Sequence, residues 1–153
     1  MNFQNEYSAL HEKGFFKGFF CLKYKEEIKL LINKTNSKTI LDYGCGKGLQ
    51  YHEKRIDKFW NIKVKCYDKY FPAHNCLPEE SFDGVICVEV LEHVPEEEVD
   101  LVLREIFERA SNFVFLSIAT KPAKKLFSDG SNVHVLLKDE QWWNEKVNSF
   151  ASG

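Results

Sequence analysis

The sequence predicts an α/β domain: a doubly wound sheet in three αβα layers, mostly parallel, with a reduced number of strands, about four. Three observations predict it. Strand-like and helix-like runs alternate along the chain. The run Phe82-Asp83-Gly84-Val85-Ile86-Cys87-Val88-Glu89 is almost continuously apolar, as a strand buried on both faces of a parallel sheet is. The glycine-rich stretch Asp42-Tyr43-Gly44-Cys45-Gly46-Lys47-Gly48 follows a short apolar strand and opens a helical pattern.

Taken in order, residues 6–34 read as helix in two pieces, broken near Gly14 and Gly18, with Tyr24, Ile28, Leu31 and Ile32 at helical spacing in the second piece. Thr39-Ile40-Leu41-Asp42 is a buried strand, and Leu49 to Phe59 the helix after the glycine loop. Ile62 to Tyr67 alternates apolar and polar residues and ends at Asp68. Residues 69–81 hold Pro72 and Pro78 without a period and read as loop. Pro95-Glu96-Glu97-Glu98 starts a helix, since proline suits the first turn and acids suit the positive dipole end. Its buried stripe is Val99, Val102, Leu103, Ile106 and Phe107. Phe113 to Ile118 is a further strand, 119–135 a long loop with the turn Asp129-Gly130, and Lys138 to Phe150 a closing helix. The 153 residues are expected to form one domain: an N-terminal helical cap at 1–37, a cofactor-binding core at 38–118, and a loop with the C-terminal helix at 119–153.

With 44% hydrophobic and 29% charged residues, the composition is that of a globular chain with an ample core. A net charge of −2 argues against a nucleic-acid partner, although Lys121, Lys124 and Lys125 form a local basic group. Five cysteines without a C-x-x-C suggest neither a disulfide framework nor a zinc site, and the expected setting is reducing and cytoplasmic. The polar N-terminus fits no signal peptide, and Phe15 to Leu22, interrupted by Lys17, is far too short to cross a membrane.

Ligands of such sheets sit outside the carboxyl ends of the strands. A dinucleotide binder would carry G-x-G-x-x-G/A, but the third position here is Leu49. Asp42, Asp68, Glu89 and Glu92 all fall at expected strand ends, which would repel a pyrophosphate. They suit a ligand with a cationic centre, an ammonium and hydroxyls, and S-adenosylmethionine is such a ligand. Asp68 is placed to accept from the ribose diol, while Lys47 or the helix N-terminus can meet the carboxylate.

Ile40 to Gly48 resembles motif I of the class I S-adenosylmethionine-dependent methyltransferases, and Phe82 to Pro95 resembles the fourth-strand motif of their small-molecule, ubiquinone-pathway-like type. The resemblance spans about 38 to 118 and implies a Rossmann-like sheet of strand order 2-1-4-5 in the family's numbering. It implies S-adenosylmethionine as cofactor, contacted by Asp42, Gly44, Cys45, Gly46, Gly48, Asp68, Lys69, Glu89 and Val90.

The 13 residues of 69–81 are too few for the usual helix, third strand and adenine loop, so that strand is expected to be missing. Tyr70, Phe71 and Leu77 are then left to face the adenine. The terminal antiparallel pair of the family is expected to be absent as well. Open sheet edges make a homodimer a working hypothesis. As bases for a hydroxyl acceptor the chain offers His93 and His134, and His11 and Tyr51 are candidate substrate contacts. Each has a plain structural alternative. His93 can fix a loop, Tyr51 can edge the core, and the Phe15, Phe16, Phe19, Phe20 group can be ordinary packing rather than a lid. The expected function is methyl transfer to an oxygen or nitrogen of a small-molecule acceptor. The alternatives are a cofactor-binding regulatory or sequestering protein without transfer, and a methyltransferase of a macromolecule.

Overall fold

The two most apolar runs become the two central strands: β1 (Thr39–Tyr43) and β3 (Phe82–Val88). The alternating run becomes β2 (Lys63–Tyr67), on one edge, where Lys63 and Lys65 reach solvent. β4 (Ala110–Ser117) forms the other edge. The computed structural model describes residues 1–151 and gives the order β2-β1-β3-β4, with every pairing parallel. With the third strand of the family removed, this is the expected 2-1-4-5. Between β2 and β3 there is only a short turn at Pro72–His74.

Successive side chains along a strand point to opposite faces, and the two core layers follow from that. Leu41, Val85 and Cys87 pack on one side against α5 (Glu96–Glu108) and α6 (Glu140–Ala151) through Leu103, Ile106 and Trp143. Ile40, Ile86 and Val88 pack on the other side against Ile28 and Ile32 of α2 (Lys25–Thr35) and Trp60. Trp143 is buried and Trp142 half-buried, in line with only one of the pair facing the core. A third cluster joins α1 (Phe3–Glu12) to the long loop through Tyr7, Leu10, Phe127 and Val133.

Three boundaries differ from the sequence reading, the first being α1, which begins at Phe3 rather than residue 6. The helix expected at 49–59 is two short ones, α3 (Leu49–His52) and α4 (Ile56–Trp60), because Arg55 takes a left-handed conformation at φ 51°. The break lets Tyr51 point at β1 while Ile56 and Trp60 enter the α2 layer. β4 begins at Ala110 rather than Phe113, since Ala110 already pairs with Phe82 across a bulge whose exposed polar residues hide the strand pattern. Within the loop at 119–135, Leu126 and Asn132 form one antiparallel bridge. Among the described residues, no helix is long and apolar enough to cross a membrane.

Candidate active site

The carboxyl ends of β1, β2 and β3 open into one cavity of about 130 Å³. Its walls include Asp42, Gly44, Cys45, Gly46, Asp68, Lys69, Glu89, Val90, His93 and His11. Of the residues expected to face the adenine only Tyr70 lines the cavity, since Leu77 packs against the core and Phe71 stacks on His11, and three further expected residues lie elsewhere. Gly48 stands at the start of α3, and Tyr51 and His134 sit one layer behind the wall.

Gly44 is required for two reasons. Its φ is 84°, and a methyl group there would come within 2.3 Å of Val90 Cγ2. The loop is fastened to β2 by the amides of Gly44 and Cys45, which donate to the Tyr67 carbonyl at 2.7 and 3.0 Å. Asp42 is buried, and its Oδ2 accepts from Tyr51 Oη at 2.6 Å and Gln50 Nε2 at 3.0 Å. Burial pushes its carboxyl up to about 7 despite those donors. Tyr51 therefore acts as a support for Asp42 and not as a wall of the cavity; its place two residues past the helix start could not tell which.

Asp68 accepts from the Gly46 amide at 2.9 Å and the Tyr70 amide at 3.0 Å, and His11 Nε2 stands 3.6 Å away. Burial works against its charge, but these donors hold its carboxyl below the ordinary value. Lys47 Nζ contacts His11 Nδ1 at 3.0 Å and the Phe15 carbonyl at 2.6 Å. It is thus committed to the N-terminal segment and not turned to the ligand position assigned to it. Lys69 Nζ, largely exposed, pairs with Glu98 at 3.6 Å.

Residues 13–19 run across the glycine loop as a strap. The amides of Lys47, Leu49 and Gln50 donate to the carbonyls of Phe16, Lys17 and Gly18 at 2.8, 3.0 and 3.0 Å. Gly18 permits this contact, since a Cβ there would lie 2.4 Å from the Cys45 carbonyl oxygen. Phe16 and Phe20 face the cavity, joined by Tyr7 and by Tyr70, whose rings stack at 4.6 Å. Tyr70 lines the site as expected, while Tyr7, Gly18 and Cys21 are wall residues that the sequence did not assign to it. Only the Gly18 helix break and the aromatic content of the strap hinted at them.

At the β3 end the backbone of Glu89 is left-handed, at φ 57°, and its Oε1 accepts from Ser117 Oγ at 3.1 Å. Such a conformation is costly for a non-glycine residue and concentrates at functional sites. His93 Nδ1 lies 2.9 Å from the Val133 carbonyl and can only be donating to it, which leaves Nε2 with a free lone pair. Burial and the neighbouring His134 depress His93 to about 4, so the ring is neutral. His134 stacks edge-on against it at 4.9 Å.

No family profile matches the chain, and no curated protein matches it. Solved structures do. A Burkholderia thailandensis 1,6-didemethyltoxoflavin-N1-methyltransferase with bound 1,6-didemethyltoxoflavin and S-adenosylhomocysteine superposes at a TM-score of 0.66 and 15% identity, over 97% of this chain and 75% of that one. The complex of DhpI with SAH gives 0.61 at 12%, over 96% and 84%. An O-methyltransferase family protein from Burkholderia thailandensis gives 0.53 at 13%, over 88% of this chain and 52% of that one. The chain therefore has the Rossmann-like αβα fold of these methyltransferases, with its sheet reduced to four parallel strands among the described residues.

Proposed function

We propose that the chain is an S-adenosylmethionine-dependent methyltransferase acting on an oxygen or nitrogen of a small molecule. The observation that carries this reading is the convergence of Asp42, Asp68 and Glu89 on one cavity beside a glycine loop. That is a surface for a cation with hydroxyls, hostile to a pyrophosphate. The cofactor supplies an electrophilic methyl group on a sulfonium. In this reading Gly44 and Gly46 let the backbone approach the methionine part, Asp68 accepts from the ribose hydroxyls with its remaining lone pairs, and Tyr70 offers a face to the adenine. Glu89, Val90 and His93 border the transferring methyl. The chain's own contribution to rate is alignment and exclusion of water.

The cavity is smaller than the ~300–1,000 Å³ usual for such ligands. Binding accordingly calls for the strap at 13–19, whose Phe16 lines the cavity, to move outward. Five free cysteines fit a reducing, cytoplasmic compartment.

The reading is tested by turnover. Incubated with S-adenosylmethionine and a panel of phenols, hydroxy acids and heteroaromatic amines, the chain should release S-adenosylhomocysteine with at least one acceptor. Cofactor binding with no product above the protein-free rate, across small molecules and macromolecular extracts alike, would instead make it a sequestering module.

A further inference from the structure

One group of side chains around the cavity is left unexplained by methyl transfer. Glu92 is fully buried and faces the Glu89 carboxyl and the backbone amides of Glu92 and Ala119, yet neither of its oxygens completes a hydrogen bond. A buried carboxyl whose hydrogen bonds are incomplete is rare, and each such group calls for an explanation. Beside it stand two imidazoles. His93 is next in sequence, on the short turn Leu91–His93, and His134 arrives from the long loop. One ligand atom from each of Glu92, His93 and His134 lies within 4.8 Å of the other two.

The two histidines are oriented alike. Nδ1 of His93 contacts the Val133 carbonyl at 2.9 Å, and Nδ1 of His134 contacts the Lys121 carbonyl at 2.7 Å. A carbonyl can only accept, so both Nδ1 atoms carry a proton, and Nε2 is the atom through which each neutral ring can bind an ion. Fixing the ring through a backbone carbonyl in this way is how proteins prepare histidines for metals. The loop that supplies these carbonyls is itself braced. Asn132 bonds the Ala123 amide and carbonyl at 3.0 and 2.8 Å and the His134 amide at 2.9 Å, and the Leu136 amide donates to the Glu92 carbonyl at 3.0 Å. No lysine or arginine among the described residues forms an ion pair with Glu89 or Glu92. Lys125, the cation that faces His93, lies over the Phe15 and Phe16 rings at 4.0 and 4.6 Å.

We propose that Glu92, His93 and His134, with Glu89 beside them, form a binding site for a divalent first-row transition cation. Two imidazoles and a carboxylate are a recurrent ligand set for such ions, with positions left open for water or substrate. Ligand distances of ~2.0–2.2 Å require the three groups to close up slightly from their present spacing. His93 then serves as a ligand rather than as a base. That the ion would border the methyl acceptor rests on the methyltransferase reading; the binding of the ion does not.

The probe is Mn²⁺, which disfavours the competing thiolate-rich group Cys45, Cys66 and His74. The full chain, stripped with chelator and desalted, is titrated while the free-ion EPR signal is followed. One Mn²⁺ per chain should bind, and His134→Ala and Glu92→Gln should each weaken it at least ~tenfold. Cys66→Ser should bind as the unaltered chain does. Pulsed EPR of the bound ion should show coupling to imidazole nitrogen, a readout that needs no variant to fold. Absence of binding at millimolar Mn²⁺, a bound ion without nitrogen coupling, or undiminished binding in both His134→Ala and Glu92→Gln overturns the proposal.

Discussion

Asp42 and Glu92 are both fully buried carboxylic acids near the ends of neighbouring central strands, and their surroundings differ completely. Asp42 sits in a closed set of donors, Tyr51 and Gln50, and Asp68 next door has two backbone amides and His11. The Glu92 carboxyl completes no hydrogen bond, and Glu89 beside it is held in a strained backbone conformation. The β1–β2 end is satisfied by the protein itself. The β3–β4 end keeps polar groups in reserve, as a place does whose partner comes from outside.

The sharpest way to break the satisfied end is Gly44→Ala. A methyl 2.3 Å from Val90 Cγ2, at φ 84°, should lower stability by about 3 kcal/mol in urea unfolding and close the cavity. Asp68→Ala removes a buried acceptor that faces the ligand position. It should weaken S-adenosylmethionine by about 2 kcal/mol, roughly thirtyfold, in calorimetry, with the far-UV spectrum retained.

The two ends also titrate in opposite senses. His93 is depressed to about 4 in the fold against 6.5 when exposed, so below pH 6.5 the unfolded chain takes up the proton first. Its contribution is complete above pH 6.5 and is lost as pH falls toward 4. Asp42, raised from 3.8 to about 7, contributes most below pH 4 and loses that contribution as pH rises to 7. The stability advantage of the unaltered chain over His93→Asn should therefore fall by about 2 kcal/mol between pH 6.5 and 4, since Asp42 is common to both. An advantage independent of pH would mean that His93 is not held neutral. The smallest effect is expected of Tyr51→Phe. Losing one donor to Asp42 should cost about 1 kcal/mol of stability while S-adenosylmethionine affinity stays within about threefold.

The same division governs how much was legible in the sequence. The β1–β2 end is written locally: Asp42 and the glycines are contiguous, and Asp68 stands at the end of the next strand. The strand order followed from the resemblance to the methyltransferase family, and the missing third strand from the 13 residues of 69–81. The β3–β4 end depends on distant segments. His93 and His134 are 41 positions apart, and only the folding of the 119–135 loop onto the 91–93 turn brings them together. For the same reason no metal-ligand spacing is legible in the sequence. The Phe15 to Phe20 segment was legible as packing or a lid, but its fastening to the glycine loop was not, because that lies in backbone carbonyls of Phe16, Lys17 and Gly18, which leave no mark in residue identity.

The most direct test of the central claim is a calorimetric titration of the full chain with S-adenosylmethionine, S-adenosylhomocysteine and NAD, each separately. The acid-lined cavity should bind the two adenosyl-sulfur ligands at one site per chain in the micromolar range (about −8 kcal/mol) and give no heat with NAD. Saturable binding of NAD without binding of S-adenosylmethionine would contradict it.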